Sequence, residues 1–95
     1  MTYPIKLARE HKAQKAKALA ALREGNLSLR EVLRDRPEPL LGVDIYEILL
    51  ATKGLGPKTA QLVLMKSVVW PYVRLSRLSK VDQGRILRNL PERIK

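Results

Sequence analysis

Residues 45–69 read as two helices joined by a turn too short for anything but a hairpin. The apolar run Ile48-Leu49-Leu50-Ala51 is followed by Thr52-Lys53 and then by Gly54-Leu55-Gly56-Pro57, after which a second apolar-rich run fills 60–69. Two glycines around one apolar residue allow positive φ and a close approach of backbone to a ligand. Leu55 between them is expected to point inward and pin the turn. Pro57 suits the first position of a helix, where its missing N–H costs nothing. The free N–H groups at that helix start make an anion site, and Lys58 sits on it. Such a site needs no base identity, so a phosphate backbone is its natural ligand. An ordinary helical corner would use the same glycine and proline.

Charge weighs between these two readings. The chain has 95 residues and a net charge of +10, unevenly spread. Residues 1–23 carry +5, 24–47 carry −3 and 48–95 carry +8. Between Glu47 and Asp82 there is no acid, while Lys53, Lys58, Lys66, Arg74, Arg77 and Lys80 all occur. A solvated face usually mixes signs, so this segmentation indicates one half facing a polyanion. Length allows one small domain. With no Phe and 45% hydrophobic residues, Leu, Ile, Val and Ala must fill the core. The absence of Cys excludes a disulfide framework or thiolate metal site, and the single His11 has no ligand partner nearby. No metal and no cofactor are expected. No run approaches a membrane span and the N-terminus has no apolar signal core, so no membrane role and a cytoplasmic location are expected.

Taken in order, residues 4–24 form a long Ala- and Lys-rich helix. Ile5, Ala8, Ala16, Leu19 and Ala20 give it a thin apolar stripe, which supports only weak packing. It is either a basic arm adding phosphate contacts or a solubilising helix. Gly25-Asn26 ends it. Ser28-Leu29-Arg30-Glu31 and Asp44-Ile45-Tyr46-Glu47 are two capping boxes, each opening a short helix. Leu29, Val32 and Leu33 should face inward in the first, and Ile45, Ile48 and Leu49 in the second. The helix from Lys58 is apolar nearly all round, which predicts a central, buried position. Trp70-Pro71-Tyr72 ends it. Trp70 fits the core or its edge, with a wedge between base steps as the alternative. After the connector from Arg74 to Leu78, Ser79-Lys80-Val81-Asp82 caps a last helix running to about Leu90. Val81, Ile86, Leu87 and Leu90 are its packing positions. That helix start, flanked by Arg77 and Lys80, is a second potential phosphate site. No strand-like alternation occurs, and the fold class is all-α. The chain divides into a basic helix, 1–24, and a DNA-binding domain, 25–95.

The hairpin with its flanking apolar pairs looks like a helix–hairpin–helix, which grips DNA backbone without reading sequence. Three further segments narrow the resemblance. They are Arg23-Glu24-Gly25-Asn26-Leu27-Ser28-Leu29-Arg30-Glu31-Val32-Leu33 upstream, Gly54-Leu55-Gly56-Pro57-Lys58-Thr59-Ala60-Gln61 at the turn, and Arg77-Leu78-Ser79 before a helix containing Gln83. Together they resemble the actinobacterial, mycobacterial-type integration host factors over most of the chain. The resemblance implies a helix–two-turns–helix fold in a small nucleoid-associated protein that binds double-stranded DNA with little sequence preference and bends it. Some members assist phage integrases. A monomer is expected. Carried over by position, Lys53, Gly54, Leu55, Gly56, Lys58 and Thr59 match the turn that meets the backbone, and Arg74 matches one arginine of a downstream basic cluster. Tyr72-Val73 and Ser76 stand where further cations are expected, so the second contact is assigned to Arg74, Arg77, Ser79 and Lys80.

Two other functions use overlapping residues. The turn is similar to the hairpin of base-excision DNA glycosylase/lyases, whose lysine forms a Schiff base and whose downstream aspartate Val81-Asp82 imitates. The spacing from Lys58 to Asp82 is several residues too long. A flipped base also needs a pocket between two lobes, whereas this chain has one. Asp82 is better read as part of a helix cap, and no enzyme is expected. The other rival is RNA or ribosome binding through the same fold, because phosphate contacts alone do not separate DNA from RNA.

Overall fold

The computed structural model describes the backbone of residues 5–92 and 94, and side chains from Lys12 onward. The described residues form five α-helices and two short 3₁₀ turns: α1 (Ile5–Glu24), α2 (Leu29–Asp35), a turn at Glu38–Leu40, α3 (Ile45–Ala51), α4 (Pro57–Ser67), a turn at Leu75–Arg77, and α5 (Lys80–Asn89). No strand occurs among the described residues; Asp44 and Arg74 form one isolated antiparallel bridge. The all-α expectation is met.

Local chemistry sets the boundaries. Gly25 at φ +83° closes α1, and the Asn26 and Leu27 amides donate back to the Ala21 carbonyl. The hydroxyl of Ser28 accepts from the Glu31 amide at 3.1 Å, and Asp44 Oδ1 accepts from the Glu47 amide at 2.8 Å, so both sequence-predicted caps form. Ser79 does the same for Asp82 at 3.0 Å. The α4 helix ends on Val68, which adopts the left-handed conformation at φ 55°. A β-branched residue there is strained by roughly 1–3 kcal/mol. Its side chain is exposed and packs little. Val68→Asn is therefore expected to stabilise the fold by about 1 kcal/mol, read as a rise of roughly 4–8 °C in Tm.

The core is built from Leu22, Val32, Leu33, Leu40, Ile45, Ile48, Leu49, Leu75 and Ile86, one or more from every helix except α4, which adds Ala60, Val63 and Leu64. Arg36, at φ 47°, stitches α2 to the rest: its guanidinium donates to the Leu75 carbonyl and to Gln83 Oε1. Ser67, fully buried, donates to the Val63 carbonyl at 2.6 Å and accepts from Asn89 Nδ2 at 3.1 Å, which joins α4 to α5.

Four packing expectations are corrected. The inward stripe of α1 runs through Leu19 and Leu22, with Ala16 exposed; Leu22 falls one turn after Ala18, which also packs against the core. The expected positions Ile5 and Ala8, like His11, lie outside the described side chains. The α4 helix is not apolar all round in its burial: Leu62 is 52% and Met65 74% exposed, because α3 and α5 cover only one of its sides. Trp70 stands out at 66% exposure rather than in the core or at its edge; Val69 before it takes the buried position after the left-handed cap residue Val68. Val81 is exposed on the first turn of α5.

Candidate nucleic-acid interface

Four of the helix N-termini are fully described, and they differ in one respect. Those of α2, α3 and α5 each have an oxygen-bearing side chain on their first amides: Ser28, Asp44 and Ser79. That of α4 has none. Its N-cap is Gly56, and Pro57 occupies the first helical position. The following N–H groups of Lys58 and Thr59 thus lack the side-chain acceptor that the other three starts possess. An anion is the ligand that completes such a start, since the helix dipole adds to the open N–H groups.

Around this start the sequence-predicted residues assemble. Leu55 is buried, as expected, and its amide donates to the Thr52 carbonyl at 3.1 Å, so the turn is anchored from inside. Lys53, Gly54, Gly56 and Lys58 are exposed and Thr59 half-exposed. The Lys53 amide donates to the Leu22 carbonyl at 3.0 Å, which docks the hairpin on the end of α1. The positive φ of the turn falls on Gly54, at +88°, whereas Gly56 is extended with φ −89° and ψ 171°. Pro57 accounts for this, since it drives the preceding residue toward the extended region. A Cβ added to Gly56 would meet nothing within 4 Å. Gly54→Ala is therefore expected to cost about 1 kcal/mol of stability, while Gly56→Ala melts close to the parent. A thermal melt of both variants checks this.

The second group lies elsewhere on the surface. Arg74, Arg77, Ser79 and Lys80 are all exposed along the 3₁₀ turn and the start of α5. Lys80 lines a groove with Arg34, Arg36, Leu78 and Gln83. Sequence reasoning missed the α2 side of this groove, because nothing near Arg34 or Arg36 resembles a phosphate motif. Arg34 there is already paired with Asp35, at 2.9 and 3.1 Å, and the hydrogen bond holds the Asp35 carboxyl below its usual range. The Asp82 amide donates to Ser79 Oγ, which places Asp82 as the third residue of its helix cap. No group of three His, Cys, Asp or Glu side chains able to hold a metal exists among the described residues, nor any helix long and apolar enough to cross a membrane.

No family model and no curated protein sequence matches the chain. A solved structure of sIHF bound to an 8bp palindromic DNA matches 92% of this chain and 100% of that chain, with a TM-score of 0.78 and 16% identity. The fold is that of sIHF. At this identity the likeness to sIHF is one of backbone architecture.

Proposed function

We propose that the chain is an architectural DNA-binding protein of the integration-host-factor type, which holds double-stranded DNA by its phosphates with little regard to sequence and bends it. The observation that carries this reading is the α4 start, which alone among the four described N-termini lacks a side-chain cap and is flanked by Lys53 and Lys58. The sIHF backbone, seen with DNA bound, supports the same reading. Lys53, Gly54, Leu55, Gly56, Lys58 and Thr59 form the first contact; Leu55 serves it through its backbone and its anchoring side chain. Arg74, Arg77, Ser79 and Lys80 form the second. The basic helix 1–24 adds a diffuse positive field to the domain of 25–95. Acting as a monomer in the nucleoid, the protein shapes DNA and catalyses nothing; a phage integrase is the partner class that the family resemblance brings.

Binding is expected to be steeply salt-dependent. Contacts to roughly four to seven phosphates give a log–log slope of Kd against salt of about 4 to 6 in magnitude. The measurement is a titration of a mixed-sequence duplex at several salt concentrations, with duplex RNA as competitor. A slope near zero, a strong preference for one sequence, or tighter binding of the RNA would defeat the proposal.

A further inference from the structure

The loop after α4 carries the largest exposed aromatic surface of the described residues. Trp70 is 66% and Tyr72 65% exposed, and their rings meet edge to face, with centroids 5.6 Å apart at an interplanar angle of 69°. The backbone beneath them is fixed on both sides. Ile45 N–H donates to the Val73 carbonyl at 2.8 Å and Tyr46 N–H to the Pro71 carbonyl at 3.1 Å. Leu75 N–H donates to the Val43 carbonyl at 3.0 Å, and Val73 and Leu75 turn inward while Arg74 stays exposed. Two flat rings thus stand on this mount, with Lys66 and Arg74 exposed nearby along the chain; the neighbouring acids are Asp44, opposite Arg74 in the bridge and engaged as the cap of α3, and Glu47.

An occupant of this surface must offer a flat apolar face with negative charge around it. A base step of DNA does so, since stacked bases lie between two rails of phosphate. A second copy of this chain suits it less well, because two molecules of net charge +10 repel each other. We infer that Trp70, braced by Tyr72, inserts against a partly unstacked base step, and that this wedge sets the bend. The inference rests on the DNA reading above. A wedge needs rigidity, because prying a step apart costs free energy that a mobile side chain would not return. The cross-linked loop 70–75 supplies that rigidity. Ser79 and the α4 start hold phosphates; Trp70 meets the bases.

Trp70 is the single tryptophan of the chain, so its emission reports this contact alone. The full-length protein is titrated with a matched duplex and with the same duplex carrying one central mismatch, whose step is already loosened. The parent is expected to bind the mismatched duplex about tenfold tighter, with Trp70 emission quenched in both complexes. In Trp70→Ala that ratio falls to about one and the bend, read by energy transfer between the duplex ends, is lost. In Trp70→Phe both are largely kept. Thermal melts of the variants close to the parent exclude a folding effect. Binding with unmoved emission and an unchanged mismatch ratio in Trp70→Ala overturns the wedge and leaves the phosphate reading standing; the rings then serve another partner, such as an acidic protein. Absence of any DNA binding overturns both.

Discussion

Lys58→Glu is expected to weaken duplex binding by roughly ten- to a hundredfold, while Lys17→Glu changes it by only a few-fold. A charge-assisted hydrogen bond contributes about 1.5–3 kcal/mol, and the glutamate removes that bond. It also places a negative charge against a helix start whose N–H groups favour anions. Lys58 has this setting because Gly56 and Pro57 leave the start of α4 without a side-chain cap. Lys17 is exposed near the middle of α1, and contributes only to a screened field. Both side chains are exposed, so neither reversal disturbs packing. A gel or filter assay at one moderate salt concentration compares them directly. Equal losses would mean that the hairpin is a structural corner and that the charge acts without a fixed site.

The second large effect concerns stability. Leu22→Ala is expected to cost about 3 kcal/mol, a substantial share of a total that lies between roughly 5 and 15 kcal/mol for small domains. Leu22 is completely buried, and its carbonyl accepts from the Lys53 amide, so the cavity would open beneath the joint between α1 and the hairpin. For a domain of this length the loss corresponds to a fall in Tm of roughly 10–25 °C. Leu62→Ala is the control: that side chain is about half exposed, and its truncation is expected to shift stability by less than about 0.5 kcal/mol. Similar Tm values for the two variants would show that α1 contributes nothing to the core.

The parts of the fold legible in the sequence are those decided by a few neighbouring residues. Ser28, Asp44 and Ser79 announce helix starts because each finds its amide three residues away. Leu55 between two glycines had only one side on which to pack. What escaped depends on partners distant in the chain. The sequence of α4 is apolar on nearly every side, and the arrangement of α3 and α5 decides that Leu62 and Met65 remain uncovered. Glycine offers no side chain to distinguish Gly54 from Gly56, so the conformation of each follows from the neighbours, Pro57 above all. The burial of Leu22 and the role of Arg36 as a clamp likewise come from the docking of separate segments.

The hydrogen bonds from Ile45 and Tyr46 to the Val73 and Pro71 carbonyls also bear on the order in which the chain folds. At seven residues, α3 is far shorter than a helix that holds alone in water. Its first amides find their carbonyls more than two dozen residues downstream, after α4 has been made and the chain has come back. The hairpin cannot therefore mature as a local unit and acquire the loop afterwards. Both must close together, against the chain entropy of a non-local contact. Substitutions that loosen the loop, at Leu75 for instance, act on the rate of folding as well as on its end point.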